Sequence, residues 1–317
     1  MYKGKIIYAV YRLLYGEDFV KDSILSIIDS VDKVICFCTD KPWGRRQSAT
    51  WKNKEYKFPD VFDKTRQYVV DLNNIYQDKI IIVDQSCPIA ILQMAYDYNV
   101  YIKNMETQPD FIVSIEADMI INDPCDLKKM IDWSLNNKVA ISSMNSVNHF
   151  RHPSYTFNYK LPAKLLRVSP GRHSVILWNL NLIDLKVLDI STYRGDRGEH
   201  VPQYPIVRSP FWCHNFGYCW NEKTMFFKFI VNISQARLDN EPNEDWFENK
   251  YLLWSTYVKD MEISKGFEQN IPDTFKESKL FLPKCIQNRL CDWNYLPIKK
   301  NSEKYLEFWK WTEQFVI

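Results

Sequence analysis

The sequence predicts an α/β protein: a Rossmann-like mixed sheet flanked by helices, with a helical C-terminal extension. Three observations lead there. Short apolar, β-branched runs at 5–11, 31–38, 79–83 and 109–121 alternate with segments whose apolar residues recur at helical spacing. Each run ends in polar or charged residues, at Arg12, Thr39-Asp40, Asp84 and Glu116-Ala117-Asp118, and carboxyl ends of strands are where open α/β sheets bind ligands. Beyond residue 121 the alternation loosens into a polar, aromatic, proline-punctuated second half, so the sheet is expected to be mixed rather than purely parallel.

The elements follow in order. Residues 5–11 form a first strand, and 12–16 the loop at its carboxyl end. A helix is expected over 17–30, with Phe19, Val20, Ile24, Leu25, Ile27 and Ile28 on one stripe and Glu17 and Asp18 at its positive end. A second strand at 31–38 completes a βαβ unit. Residues 41–60 hold Pro42, Gly44, Pro59, Trp43, Trp51 and several basic side chains including Arg45 and Arg46, and read as a long loop of the kind that carries function. A helix at 61–75, a strand at 79–83, a helix at 88–105 and the strand at 109–121 end the regular half. A helix follows through Asn136, with Asp123 before it and Pro124 as its first residue. Strands are expected at 138–144 and 174–179, with weaker ones at 156–159 and 164–168. Helices are expected at 222–238 and 244–259, and an amphipathic one at 303–316 carries Tyr305, Leu306, Phe308, Trp309, Trp311 and Phe315. Docking onto the main domain is the expected use of that aromatic face, with peripheral membrane contact as the alternative.

Composition narrows the function classes. The 317 residues are 46% hydrophobic and 15% aromatic, enough for a large packed core and against disorder. Basic and acidic residues number 41 and 39, so no global field favours nucleic acid, and an anionic ligand must be met by local charge. None of the 8 cysteines forms a C-x-x-C pair, and the repeated six-residue spacing of Cys213 with Cys219 and Cys285 with Cys291 lacks the tight loops of zinc knuckles. No apolar run reaches the roughly 18 residues that span a bilayer, and the first strand follows Lys5 with no apolar leader, so the cytoplasm is the expected compartment. No phosphate loop of the G-x-x-x-x-G-K-[ST] type occurs, which excludes that class of nucleotide hydrolase.

The chemistry gathers at Glu116 and Asp118. Two apart on an extended chain, their carboxylates leave on one side and can share a divalent cation whose shell a phosphate completes, which suits Mg²⁺ or Mn²⁺. The alternative is a strand end whose acids face water or cap the next helix. Position at neighbouring strand ends offers Tyr11 as an aromatic face for a base, Asp40 as an acceptor for a base N–H, and Arg12 and Asp84 on the same edge. Arg45 and Arg46 in the basic loop are candidates to close over phosphates, the alternative being a charge cluster that is simply solvated. His214, between Trp212 and Phe216, has the surroundings of a packed structural residue.

The chain resembles the GT-A class of nucleotide-sugar glycosyltransferases, most nearly its family 2-like members. The resemblance rests on Tyr8-Ala9-Val10-Tyr11-Arg12 followed by Gly16-Glu17-Asp18-Phe19-Val20, on Cys38-Thr39-Asp40, on Glu116-Ala117-Asp118 and on His214-Asn215-Phe216-Gly217-Tyr218, in that order over residues 5 to about 228. It implies that Asp118 is a direct metal ligand, that Glu116 holds the metal through water or contacts the donor ribose, and that His214 is a metal- or phosphate-contacting histidine whose neutral imidazole is a competent third ligand for Mn²⁺. The first acid here is Glu where Asp is commoner. It further implies a general base well downstream of the acid pair, with Asp196 and Glu199 in the Gly-containing loop as candidates and Glu244-Asp245, at a helix start, as a second pair.

The expected function is therefore metal-dependent, inverting transfer of a sugar from a UDP- or GDP-sugar to a glycan or other hydroxyl acceptor, with the acceptor deprotonated as C1 is attacked from the opposite face. The alternative is a non-catalytic relative that binds glycan or nucleotide as an interaction module. Residues 1–235 are expected to form the catalytic domain, with a nucleotide-binding half at 1–121 and an acceptor and metal half at 122–235, and 236–317 the helical extension packed on it. Aromatics of the irregular regions, Trp43, Trp51, Tyr155, Tyr159, Trp212 and Trp220, are candidates for stacking on sugar rings, the alternative for most of them being the core.

Overall fold

A computed structural model describes residues 1–39, 47–59, 63–84, 98–157, 175–183, 206–235, 246–253, 275–277, 282–290 and 298–317. Along the chain the elements are β1 (Ile7–Leu13), α1 (Val20–Ile27), β2 (Lys33–Cys38), β3 (Ser48–Trp51), β4 (Lys54–Lys57), α2 (Thr65–Ile75), β5 (Ile80–Asp84), β6 (Phe111–Ile115) and β7 (Met119–Ile121). There follow α3 (Pro124–Asn136), β8 (Ile141–Phe150), β9 (His152–Phe157), β10 (Ile176–Asn179), β11 (Ile206–Tyr218), α4 (Glu222–Gln235), a π-helical segment Trp246–Leu252, β12 (Phe275–Glu277) and α5 (Glu303–Thr312). The chain divides into two compact units. One is Met1–Asp40, Lys64–Val147 and Val168–Asn215; the other is Lys41–Asp63, Asn148–Arg167 and Phe216–Ile317. This division is not the expected cut near residue 235, because the chain leaves the first unit and re-enters it twice.

In the first unit the strands run in the order β8-β10-β6-β1-β2-β5. β1 is parallel to β2 and β6, and β2 to β5, while β10 is antiparallel to both β6 and β8. The sheet is Rossmann-like and mixed. Its parallel strands are buried on both faces, which is why they appear as continuous apolar runs rather than alternating ones. Ile7, Ala9, Tyr11 and Leu13 of β1 join Val34, Cys36, Phe111, Val113 and Ile115 in one core with Val20, Ile24 and Ile27 of α1, Val69 and Leu72 of α2, and Leu127, Met130 and Ile131 of α3. Tyr8, Val10, Ile35, Phe37 and Ile112 face the opposite side, against Tyr98 and Ile102. The expected helix start at α3 is present in detail: Asp123 accepts the Cys125 N–H at 2.9 Å and Pro124 opens the helix. At α1 it is not. The helix begins at Val20, and the Glu17 carboxylate instead accepts the Lys64 N–H at 2.8 Å.

The second unit is organised by aromatic packing. Part of the expected long loop is a hairpin, β3 and β4 pairing antiparallel from Ser48↔Lys57 to Trp51↔Lys54. Its two turn residues, Lys52 and Asn53, both have positive φ, 49° and 61°, the twist a tight hairpin requires. Trp51, 2% exposed, stacks on Trp309 of α5 at 5.6 Å and meets Phe226 and Phe229 of α4 edge-on at 5.9 and 5.7 Å. Phe247 lies 5.7 Å from Phe308 and 6.5 Å from Trp51. The aromatic face of α5 is thus spent on its own unit, and the chain end is stitched to the hairpin by the Tyr56↔Val316 bridge and the Ile317 N–H to the Glu55 carbonyl at 3.0 Å. Behind it, the wholly buried Arg151 bonds Glu222 at 3.0 Å and lies over the Tyr251 ring at 4.5 Å. No helix among the described residues is long and apolar enough to cross a membrane.

Candidate functional site

The strand order places the site. From β1 the chain moves outward through β2 to β5, then returns to the other side of β1 as β6, so β1 and β6 flank the point where the order reverses. A crevice at the carboxyl ends of such a pair is the ligand position of an open α/β sheet. Tyr11 is level with Ile115 in the β1–β6 register, so Arg12 and Glu116 are the next residues of the two strands.

The stretch 109–121, expected as one strand, is two. The Met119 N–H bonds the Glu116 carbonyl at 3.1 Å, closing a tight turn of Glu116-Ala117-Asp118-Met119 between β6 and β7. The two acids consequently do not leave one side of an extended strand. Glu116 is exposed, whereas Asp118 is only 2% exposed. Both sit on the same four-residue turn at the switch point.

Three neighbours hold that turn in place. Gly16, in the loop after β1, approaches so closely that a Cβ on it would lie 2.7 Å from the Ala117 Cβ; a side chain there would push against the turn. The Gly16 N–H in turn donates to Thr65 Oγ1 at 2.7 Å, fixing the loop to the start of α2. From α1, Ser23 Oγ donates to the Met119 carbonyl at 2.5 Å and lies 3.2 Å from the Glu116 carbonyl. One turn on, Ser26 Oγ accepts the Ile121 N–H at 3.3 Å. Neither serine nor Thr65 stood out in the sequence. The available signal was a serine at 23 in the middle of the apolar stripe of α1, where a hydroxyl needs a partner.

β11 runs antiparallel to β7, with Cys213, His214 and Asn215 opposite Ile121, Ile120 and Met119. His214 is 4% exposed, and burial pushes its pKa down to about 4, so the imidazole is neutral at pH 7. The buried Cys213 thiol is pushed up to about 12, chiefly by desolvation, with the charges of Asp118 and Glu116 adding to it. Among the described residues no three His, Cys, Asp or Glu side chains are gathered as a metal-holding group, so Glu116, Asp118 and His214 are not brought together as a three-donor set. What the turn provides is two hard oxygen donors. That fits a divalent cation which takes the rest of its shell from phosphate oxygens and water, and does not fit an all-protein cage.

The depressed His214 pKa has a testable sign. An unfolded histidine titrates near 6.5, so stability is complete above that value and is lost as pH falls toward the folded value of about 4. Between about pH 7.5 and about pH 5 this residue alone should remove about 2 kcal/mol. Urea unfolding of the wild type and His214→Gln at both pH values measures it. The variant is expected to lose that share of the pH dependence, and identical pH dependences would show the imidazole to be hydrated.

The remaining candidates separate. Tyr11 is a correction: it is 0% exposed, its ring lies in the core beneath α1, and its hydroxyl is 3.1 Å from Ser23 Oγ, so it offers no face to a base. Strand alternation explains this, since Tyr11 shares the face of Ile7 and Ala9 that the helices cover. Arg12, on the other face, is half-buried with Nη1 3.4 Å from Ser114 Oγ. Asp84 ends β5 in a two-point ion pair with Arg66, Nε at 3.0 Å and Nη2 at 2.7 Å, and the bond to the guanidinium holds its carboxyl below the usual range. Trp51 and Trp220 are buried, while Trp212 stands 53% exposed on β11. Asp40, Arg45, Asp196, Glu199 and Asp245, together with Trp43 and Tyr159, lie outside the described residues.

No protein-family model and no curated protein sequence matches the chain. Solved structures are similar over parts of it. A mannosyltransferase from Pyrobaculum calidifontis in complex with GDP-Man and Mn²⁺ is 13% identical, with 76% of this chain and 67% of that one covered and a TM-score of 0.42. Glucosyl-3-phosphoglycerate synthase from Mycobacterium tuberculosis in complex with phosphoglyceric acid is 14% identical, with 56% and 58% covered and a TM-score of 0.34. The chain thus spans little more than half the length of that protein. A CMP:2-keto-3-deoxy-manno-octonic acid synthetase complexed with CTP is 9% identical, with 73% and 99% covered and a TM-score of 0.37. At TM-scores this low, the three assign the chain neither to sugar transfer nor to nucleotidyl transfer.

Proposed function

We propose that the protein is a metal-dependent, inverting glycosyltransferase that moves a sugar from a nucleotide-diphosphate donor, a UDP- or GDP-sugar, to a glycan or other hydroxyl acceptor in the cytoplasm. The observation that carries this reading is the Glu116-Ala117-Asp118 turn at the switch point of the sheet, pinned from Gly16 and Ser23. A donor diphosphate brings about two negative charges, and catalysis requires that this charge be met as the diphosphate leaves. Glu116 and Asp118 are the residues that would hold Mn²⁺ or Mg²⁺, which supplies that neutralisation when bound. Arg12, on the neighbouring strand end, adds a fixed positive charge to the same edge. The acceptor hydroxyl needs a base on the side opposite the leaving group, for which Asp196, Glu199 and Asp245 stand as the proposed carboxylates.

A thermal-shift panel of UDP-, GDP- and dTDP-sugars, each with and without Mn²⁺, tests the reading. A ligand that binds only the folded state raises its melting temperature. One nucleotide class is expected to raise Tm, and only when Mn²⁺ is present. No shift with any donor would count against the glycosyltransferase, and a shift with nucleotide or glycan but no turnover would favour the binding module.

A further inference from the structure

We infer that Tyr11 and Ser23 are positioning residues for the acidic turn, a relay of two buried hydroxyls that fixes where Glu116 and Asp118 stand. The inference deepens the proposed function and rests on it for its catalytic consequence, while the geometry stands by itself. Ser23 Oγ reaches the carbonyls of Met119 and Glu116 at 2.5 and 3.2 Å, the last and first residues of the turn, so a single hydroxyl grips both ends of the segment that carries Asp118. A serine has one proton, and carbonyl oxygens only accept; that proton is therefore given to the turn. The contact between Tyr11 and Ser23 at 3.1 Å is then a bond donated by the Tyr11 hydroxyl to Ser23 Oγ. The direction runs from tyrosine to serine to the two carbonyls.

Both residues are 0% exposed, and both occupy positions where an apolar side chain would pack. Ser23 lies beside Val20, Ile24 and Ile27 on the buried face of α1, and Tyr11 follows Ile7 and Ala9 on the covered face of β1. Hydroxyls in such surroundings are costly unless bonded, and here Tyr11 bonds Ser23 while Ser23 bonds the turn. Glu116 is exposed, and its carboxylate is carried on the backbone that Ser23 bonds. Groups that orient ligating side chains in this way govern affinity without touching the ligand.

The test uses the full chain with Tyr11→Phe and Ser23→Ala, each of which removes one hydroxyl and adds no bulk. Amide hydrogen exchange at residues 116–121 reads the turn, and Mn²⁺ titration followed by the loss of free Mn²⁺ signal in paramagnetic resonance reads the carboxylates. Both variants are expected to exchange faster at Met119 and Ile120, and to need about tenfold more Mn²⁺ for half saturation. With donor and saturating Mn²⁺, kcat should change less than about twofold, a split that simple loss of fold would not produce. Wild-type exchange and wild-type Mn²⁺ affinity in both variants would overturn the relay. Should the wild type itself bind no Mn²⁺, the metal reading of Asp118 fails separately, and exchange decides alone: faster exchange in both variants upholds the relay, and unchanged exchange overturns it.

Discussion

Asp118→Asn is expected to reduce donor turnover by about 10²–10³-fold, the size of loss that follows removal of one charge-stabilising group, here through the cation that Asp118 would hold against the departing diphosphate. The change is nearly isosteric, which matters because Asp118 is buried in the turn and a truncation to alanine would also disturb the packing around it. The loss should appear in kcat with donor and Mn²⁺ both saturating, and the melting temperature should move by only a few degrees. Glu116→Gln is the companion measurement. Its side chain is exposed, so folding should be indifferent to it, and any fall in turnover reports on the ligand alone. Unchanged turnover in Asp118→Asn would sink the metal-centred mechanism and leave the turn as an ordinary strand connection.

The second large effect is on stability. Trp51→Ala should cost about 3–5 kcal/mol, the usual range for emptying a buried tryptophan site. Calorimetry should find the melting temperature lowered by roughly 10 °C. The reason is that Trp51 touches rings from α4, the π-helical segment and α5 at once, stacking on Trp309 at 5.6 Å and meeting Phe229 edge-on at 5.7 Å. A sugar-stacking tryptophan would behave in the opposite way, leaving Tm in place and raising KM for the acceptor. That result would remove the hairpin from the core of its unit.

The two residues mark how far the candidate site and the fold were legible. The parallel strands were evident because burial on both faces writes them as near-continuous apolar runs, broken only by Arg12 in Ile7–Leu13 and by Ser114 in Phe111–Ile115, and the acids at their carboxyl ends followed from that. The hairpin was not, because its positive-φ turn uses Lys52-Asn53 and contains no glycine, and its strands carry Lys54, Glu55 and Lys57 on the outside. The thirteen-residue β11 was equally obscure, since Pro210 and Gly217 within it are residues that usually argue against a strand interior. Tyr11 failed for a different reason. Alternation puts Tyr11 on the face of Ile7 and Ala9, but only the docked α1 shows that its ring is covered even at the carboxyl end of the strand.

What the sequence by itself determined is the alternation of strand and helix, the carboxyl-edge position of Glu116 and Asp118, and the capped start of α3. These rest on local periodicity and on single-residue backbone preferences. Only the tertiary structure decided that β6 returns beside β1 to make the switch point, that the chain breaks into a turn at Glu116, and that the Tyr11 hydroxyl meets Ser23, whose own hydroxyl meets the carbonyls of that turn. The Ser23 contacts join residues as much as 96 positions apart in the chain, and no local pattern records which of many buried hydroxyls will find which carbonyl.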